Sequence, residues 1–226
     1  MSGLDLTPLW LTLKVAGLTV VILLLVSLPI AWWLAFTRSR FKVAVEACTA
    51  LPLVLPPTVM GFYLLILFGP EGAAGELWTA LTGQPLVFTF AGLVAASCVY
   101  SLPFVVQPLQ AALETMDRGT VEAAWTLGAS RWRTFFIVVV PQIRRGLLTA
   151  LVLGFAHTLG EFGVVLMVGG NIPGETQVIS IAIYEQVELL DYATAHAWSL
   201  GLLLFSFVIL VLVYGLNRRW HTEMKP

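Results

Sequence analysis

Residues 121–146 read VEAAWTLGASRWRTFFIVVVPQIRRG and form the longest polar-interrupted interval between two strongly apolar blocks. The residues at 122–127 favour a short helix, and Gly128 suits the left-handed residue that ends one. Ser130 is placed to cap a second helix that runs towards Val140. The pattern therefore predicts a knob of two short helices joined at a glycine. On physical grounds alone, a membrane-surface loop with two interfacial helices is the simplest interpretation.

The composition is that of a membrane protein. Of 226 residues, 58% are hydrophobic and 11% are charged, and the mean hydropathy is +0.90. Repeated apolar blocks near twenty residues long fit spans of a bilayer and exclude an ordinary soluble domain. Cys48 and Cys98 lie in or beside apolar blocks, which indicates small buried residues without a disulfide or a metal site. We expect lipid contacts and no nucleic-acid partner.

The apolar blocks predict an all-α protein with one transmembrane domain, residues 10–217. Its five spans are expected at about 10–36, 47–68, 86–106, 147–168 and 197–216. Pro52, Pro56 and Pro57 break the beginning of the second span, since proline removes a backbone donor and kinks a helix. This break fits either a kink that shapes packing or a bent helix beside a transport path.

The charge distribution predicts the orientation. Eleven of the twelve Lys and Arg residues lie at 38–42, 118–145 and 218–225, whereas the acidic loops at 69–85 and 169–196 contain none. The positive-inside rule places the basic segments in the cytoplasm and both acidic loops outside. With five spans, the N-terminus is then outside and the C-terminus is cytoplasmic.

The motif at 122–141 resembles the cytoplasmic EAA loop of ABC-importer permeases. The resemblance rests on Glu122-Ala123-Ala124, on Gly128 four residues later, and on a Val-x-Val-Pro that ends at Pro141. The family has Ile and Leu where this chain has valines. The resemblance implies that residues 117–145 form a coupling loop, which seats in a cleft of an ATPase subunit. Its contact residues would be Glu122, Ala123, Ala124, Gly128 and Pro141.

Two further motifs resemble the oxyanion permeases of this group. One is Gly160-Glu161-Phe162-Gly163, similar to a GEFG signature; the other is LPLVLPP at 51–57, followed by Gly61. His157 departs from the family, in which Arg is common. The resemblance implies that both segments border the translocation path. The candidate pathway or gate residues are Pro56, Pro57, Thr58, Gly160, Glu161 and Gly163.

The sequence leaves two questions open about the interior of the membrane-spanning region. Glu161 lies deep in an apolar block with His157 one turn before it, which predicts a locally satisfied pair or, alternatively, a proton relay. Gly146, Ala150 and Gly154 repeat every four residues and let helices approach closely. Their spacing fits packing within one subunit and a dimer seam equally well.

The segment GNIPGET at 170–176 supplies turn residues. Together with SIAIY at 180–184 it resembles the outer loop of molybdate and sulfate permeases, which makes Asn171, Pro173, Gly174 and Glu175 candidate contacts of a binding protein. Ile179, Ile183, Val187 and Leu190 then recur at helical spacing. They predict an amphipathic segment across the outer face, able to gate the mouth or receive a partner.

The resemblance covers residues 10–217 and is nearest to molybdate ABC transporter permeases, within the molybdate and sulfate group of binding-protein-dependent importers. It implies the type I importer permease fold in the bacterial cytoplasmic (inner) membrane. It also implies a homodimer with two cytoplasmic ATPase subunits and an external molybdate-binding protein.

The chain has no G-x-x-x-x-G-K-[ST] phosphate loop, so we expect a non-catalytic subunit without cofactors, ATP and Mg²⁺ residing on the ATPase. The alternatives are a sulfate or tungstate permease, a proton-coupled secondary anion transporter that uses His157 and Glu161, and a non-transporting membrane anchor.

Overall fold

The computed structural model describes residues 5–222, with side chains for residues 5–212 and 215. Regular structure in this part of the chain is helical, without a strand, as the sequence predicts. A π-helical segment at Phe135–Val139 joins α7 to α8. The basic residues at 218–225 lie outside the described side chains. In chain order the helices are α1 (Thr7–Phe36), α2 (Lys42–Val54), α3 (Pro57–Phe68), α4 (Ala73–Thr82), α5 (Phe90–Glu114), α6 (Arg118–Thr126), α7 (Arg131–Thr134), α8 (Val140–Leu159), α9 (Gly163–Gly169), α10 (Ile179–Glu188) and α11 (Tyr192–Thr222).

Four helical units are long and apolar enough to cross a membrane within the described residues. They are α1, α5, the continuous unit Arg131–Leu159 formed by α7, the π segment and α8, and the Tyr192–Leu212 part of α11. The pair α2 and α3 passes the same test only when both helices are taken together. The expectation of about five spans is confirmed if this bent pair counts as one span.

The second predicted span, 47–68, is two separate helices in the structure and not one kinked helix. It is divided between α2 and α3, which are bent by 115° at the break between them. Leu55 is extended, with ψ 136°, because a residue that precedes proline avoids the helical region and Pro56 has no N–H to continue the ladder. Pro57 then begins α3, a position where proline is favoured. Pro52 is buried inside α2 and does not interrupt it.

The fourth predicted span, 147–168, also differs. The observed span is Arg131–Leu159, and α9 is a separate helix beyond a short break. Pro141 does not end the helix, because the π-helical turn before it changes the hydrogen-bond register where proline has no N–H to donate. The predicted loop at 117–145 therefore contains α6, α7, the π-helical segment and the start of α8.

The spans α1, α5 and α8 pack around one apolar core. Gly154 of α8 faces this contact, since a Cβ added to it would lie 2.7 Å from Cγ2 of Val105. A Cβ at Gly146 would overlap Ala112 on the same neighbouring helix. These two small residues therefore allow close packing within the subunit. At these two positions the structure supports packing within one subunit and not a dimer seam.

A second apolar cluster joins α3 to α9 and to α5. Met60 and Leu64 from α3 meet Val164 and Val168 from α9 in it. This contact places the break between α8 and α9 beside the break between α2 and α3. Two interruptions that are far apart in the sequence are thereby brought to one place in the fold.

Candidate functional site

An exposed knob, defined as residues 117–130, connects α5 to the long span. The carboxylate of Asp117 accepts a hydrogen bond from the Gly119 amide at 2.9 Å and so caps α6. Gln142 of α8 holds the base of the knob: its Oε1 accepts from the Asp117 amide at 3.2 Å, and its Nε2 donates to Thr120 Oγ1 at 2.6 Å. These two hydrogen bonds tie the base of the knob directly to α8.

The turn after α6 has the geometry that the sequence predicts. Gly128 is left-handed, with φ +81°. Its amide donates to the Trp125 carbonyl at 2.9 Å, and the Ala129 amide donates to the Ala124 carbonyl at 3.0 Å, which is a Schellman motif. The Ser130 hydroxyl caps α7. Both local predictions, the left-handed glycine and the serine cap, are confirmed.

The predicted coupling residues lie on two elements, the knob and the long helix. Glu122, Ala123 and Gly128 are exposed on the knob, and Ala124 beside them is half-buried. Pro141 is exposed as well, but it lies on the long helix beyond the π-helical segment. The first four residues therefore lie on the knob, and Pro141 lies on the long helix, next to the Gln142 that bonds the base of the knob.

Two large apolar side chains on the knob were missed from the sequence. Leu127 is 88% exposed and Trp125 is 49% exposed. Leu127 is the C-cap of α6, directly before the left-handed glycine. The sequence signal that could have identified Leu127 is an apolar residue directly before a glycine that is predicted to end a helix. Exposed apolar anchors beside small residues are typical of a helix that docks in a partner groove.

A cavity of about 580 Å³ lies where the two breaks meet. The N-terminus of α3 contributes Pro57 and Thr58, while α5 and α8 contribute Tyr100 and His157. The segment 160–163 forms the wall between α8 and α9. The cavity thus unites the candidate pathway residues Pro57, Thr58, Gly160, Glu161 and Gly163. Pro56 is exposed and is not among the residues that line it.

His157 and Glu161 do not form the predicted pair. The ring Nδ1 of His157 lies 2.8 Å from the Ser101 hydroxyl, and that hydroxyl lies 2.9 Å from the Thr158 hydroxyl. The His157 ring also stacks on Phe104, with 3.9 Å between the ring centres. The expectation fails because α8 ends at Leu159, so Glu161 leaves the helical register in which side chains four residues apart meet.

The carboxyl group of Glu161 is buried, with 4% of the residue exposed, and neither oxygen has a hydrogen-bond partner. The buried Ser97 hydroxyl is within electrostatic reach, but the two groups do not meet in hydrogen-bonding geometry. Cys98, the next residue along α5, contacts the Thr19 carbonyl near the middle of α1, with 4.0 Å between the sulfur and the oxygen. Glu161 therefore lies beside the candidate spans α1 and α5, where an ionised carboxylate is costly.

The predicted outer contact residues form one exposed turn. Asn171, Pro173, Gly174 and Glu175 are all exposed, and Gly174 is left-handed at φ +79°. The missed residue is Thr176, which is fully buried and whose hydroxyl accepts from the Ile172 amide at 3.2 Å. That internal bond closes the turn, so its shape is set within the chain. No group of three or more metal-ligating side chains occurs among the described residues.

The segment after this turn is the helix α10, as the sequence predicts, but its buried side differs. Ile179, Ile181 and Ala182 are buried, whereas Val187 and Leu190 of the predicted apolar face are exposed. The Ile179 amide donates to Thr12 Oγ1 at 2.8 Å, which fixes the start of α10 to α1.

The exposed side of α10 and the start of α11 are held by local hydrogen bonds. A hydrogen bond with Glu188 keeps the pKa of Tyr184 above its ordinary value. The Thr194 hydroxyl and amide donate to Asp191, which caps α11 and lowers the pKa of that carboxyl.

The fold is that of a multi-span helical protein and is similar to chains of solved transporters. A chain of a bacterial ABC transporter involved in the import of the acidic polysaccharide alginate has a TM-score of 0.76 at 18% identity, over 97% of this chain and 80% of that one. The same kind of transporter in complex with an alginate-pentasaccharide-bound periplasmic protein has a TM-score of 0.74 at 18% identity, with coverages of 97% and 80%. Residues 15–222 match the family described as binding-protein-dependent transport system inner membrane component, and the chain belongs to that family.

Several relatives match almost the whole of this chain. A protein of Azotobacter vinelandii named molybdenum transport system permease protein ModB is 56% identical over 218 residues, or 96% of each chain. A Bacillus subtilis protein named putative molybdenum transport system permease protein YvgM is 38% identical, covering 92% of this chain and 91% of the relative. A probable sulfate transport system permease protein of Zygnema circumcarinatum is 37% identical, with coverages of 89% and 70%.

Proposed function

We propose that this chain is the membrane-spanning permease subunit of an ATP-driven molybdate importer. The observation that carries the proposal is the 56% identity, over 96% of both chains, to a molybdenum transport permease. A sulfate permease is the second candidate, favoured by a relative at 37% identity that is named for sulfate transport. Tungstate is a third possible cargo because its oxyanion has the same shape and charge as molybdate.

The knob is the proposed coupling surface. Leu127 and Trp125 are exposed apolar anchors, and Ala123 beside them is small enough for close approach of a groove wall. The groove belongs to a separate cytoplasmic ATPase, which carries ATP and Mg²⁺, so this chain has no catalytic site of its own. Two copies of the chain bind two ATPases, and closure of the ATPases moves both knobs. Gln142 passes that movement to the span Arg131–Leu159.

The cavity between α3 and α9 is proposed to form one segment of the translocation path of the anion. Pro57 and Thr58, which line it, form the N-terminal turn of α3, and the partial positive charge of a helix N-terminus favours an anion. Glu161 contributes its backbone and stem to the wall, but its buried carboxyl oxygens have almost no accessible surface. A structural role for this carboxyl is therefore favoured over contact with the cargo. In the homodimer, the two cavities face a shared central axis.

The exposed outer turn, with Asn171, Pro173, Gly174 and Glu175, is the proposed contact of an external molybdate-binding protein. The exposed side of α10 extends that surface. This arrangement requires the outer turn to be periplasmic or extracellular and the knob to be cytoplasmic, with the N-terminus outside and the C-terminus inside. The basic residues near the knob, Arg118, Arg131 and Arg133, support that orientation.

The proposal is tested with the chain purified together with its ATPase and its binding protein. In lipid nanodiscs, molybdate-loaded binding protein should stimulate ATP hydrolysis more than binding protein incubated with sulfate. Stimulation by sulfate at the same concentration and to the same extent would favour the sulfate candidate. ATP hydrolysis that neither oxyanion changes, in a complex that retains all subunits, would contradict the proposed cargo class.

The proton-coupled alternative loses its main support, since His157 and Glu161 are not paired. It still makes a different prediction, which is uptake that follows a proton gradient without ATP. Removal of the ATPase from the preparation therefore separates the two mechanisms.

A further inference from the structure

A groove of about 930 Å³ runs along the half of α1 nearest Phe36. Leu25, Leu28 and Trp32 form one wall, and residues of the knob and of the long span form the other. Its floor is apolar and closed, since Val121 is 5% exposed and Val139 is 1% exposed. Its rims are open, because Leu25 is 73% exposed and Phe136 is 62% exposed. The groove is therefore a lateral opening and not an enclosed core cavity.

The π-helical segment builds the second wall. Its wider turn presents Phe135, Phe136 and Val139 to the groove. Thr134, directly before this segment, also lines the groove; it is 2% exposed and its hydroxyl has no hydrogen-bond partner. A buried hydroxyl without a partner costs free energy. The Thr134 hydroxyl oxygen has almost no accessible surface, so it is not a contact for an occupant of the groove.

The groove lies at the depth of lipid. Leu25 and Leu28 belong to α1, a span with a mean hydropathy of 2.4, so hydrocarbon and not water borders this wall in a membrane. Trp32, Trp125 and Trp132 line the end of the groove nearest the knob. Tryptophan is enriched at the level of lipid headgroups. The groove thus extends from the acyl-chain region to the headgroup region of one leaflet.

The charge at the headgroup end is positive. Arg131 lines the groove there and is exposed. An adjoining recess, which shares Trp32, Val121 and Trp125 with the groove, contains Arg118 over the ring of Phe36 at 4.5 Å, with Glu122 as its acidic member. Basic pockets between membrane helices at the cytoplasmic side are suited to anionic headgroups.

We propose that this groove binds an anionic phospholipid, with one acyl chain along Leu25 to Trp32 and its phosphate at Arg131. On the proposed orientation, the lipid comes from the cytoplasmic leaflet. A soluble ATPase cannot fill the α1 wall, which is bordered by hydrocarbon. The lipid would brace the knob against α1, because the same groove is lined by both.

The first test counts retained lipid on the full transporter complex by native mass spectrometry. The complex is purified from nanodiscs that contain equal amounts of phosphatidylglycerol and phosphatidylcholine. Arg131→Gln should lower phosphatidylglycerol retention roughly fivefold, the factor expected for one basic residue at a membrane surface. Arg133→Gln is the matched control, since Arg133 is exposed nearby but does not line the groove. Equal losses of phosphatidylglycerol in both variants would show that diffuse surface charge retains the lipid, and not a site at Arg131. That result would overturn the proposal.

The second test uses the unaltered chain, so it does not depend on a variant that folds. Phosphatidylglycerol with a photoreactive acyl chain should label peptides that contain Leu25 to Trp32 and Phe135 to Val139, and excess phosphatidylcholine should not compete. Labelling elsewhere only would contradict the proposal. Cysteine at Leu25 tests for a second copy in the groove: efficient disulfide cross-linking between two chains at this position would show that a protein, and not a lipid, covers it.

Discussion

Gly163 lies directly against Pro57, so that a Cβ added to Gly163 would stand 2.8 Å from the Cβ of Pro57. Gly163 begins α9 and Pro57 begins α3, so this contact joins the two breaks in the membrane helices. Gly61 repeats the relationship one turn further along α3, where an added Cβ would stand 2.8 Å from the Cβ of Met167. The cavity beside the breaks depends on this close approach, because any side chain at Gly163 would push the two helix starts apart.

Gly163→Ala should therefore destabilise the subunit and alter the cavity. The added methyl group meets the rigid ring of Pro57 and not a flexible side chain, so we expect a loss of about 1–3 kcal/mol, typical of overpacking. Thermal unfolding of the purified chain, followed by tryptophan fluorescence, measures the loss. Transport should fall in parallel.

Gly17→Ala is the matched control for that substitution. Gly17 lies inside α1, and a Cβ added there would meet no atom within 4 Å. Alanine is favoured over glycine in a helix interior by about 0.5–1 kcal/mol, so this variant should unfold at the same or a higher temperature. If both variants unfold alike, the contact between Gly163 and Pro57 is not tight in the folded protein.

Glu161→Gln should be tolerated. Glutamine has nearly the same shape and carries no charge, and the carboxyl group has no hydrogen bond that the change would break. The unfolding temperature should stay the same or rise, and the dependence of molybdate uptake on external pH should be unchanged. Glu161→Ala is the contrasting variant: it leaves a cavity and should lower stability. A Glu161→Gln variant that folds normally but loses a pH dependence of uptake would restore the proton relay.

Leu127→Ala should weaken retention of the ATPase. Leu127 is 88% exposed at the end of α6, and truncation of an apolar interface anchor typically costs 1–2 kcal/mol or more, roughly a tenfold loss of affinity. The ATPase that copurifies at increasing dilution measures the effect. Leu81→Ala on α4, where the leucine is 75% exposed, is the control and should change nothing. Equal retention by both variants would remove Leu127 from the coupling surface.

Local features of the knob are predictable because short-range rules determine them. Gly128 is left-handed and Ser130 caps a helix, both as their sequence positions indicate. Hydropathy likewise indicates about five apolar segments, although the structure divides the second and gives the fourth other bounds. The angle at Pro56 is not predictable in the same way: prolines mark where a helix stops, but the 115° bend depends on what α3 packs against.

The other sequence predictions that the structure contradicts depend on long-range contacts and on helix register. Pro141 normally indicates the start or the end of a helix, but the π-helical turn at Phe135–Val139 lets one helix continue through it. His157 finds its partner at Ser101, on another helix and 56 residues away. Hydrophobic spacing along one helix contains no information about that partner. The pairing with Glu161 was therefore the only one that local spacing could suggest.

The orientation can be measured by thiol labelling. Cys48 is exposed, so both native cysteines are first replaced by alanine. Single cysteines at Glu76 and Glu188 should then react with a membrane-impermeant maleimide in intact cells, whereas one at Arg131 should react only after lysis. All three positions lie in the described part of the chain and the first two are exposed on the acidic loops. Labelling of the Arg131 position from outside would invert the proposed topology.

The most direct measurement of the central claim is molybdate accumulation by proteoliposomes that contain this chain and its ATPase, with the binding protein outside and ATP inside. The account predicts accumulation against a concentration gradient that requires ATP, persists after a proton ionophore collapses the pH gradient, and exceeds sulfate accumulation under the same conditions. Accumulation that the ionophore abolishes, or that proceeds equally without ATP, would contradict the account.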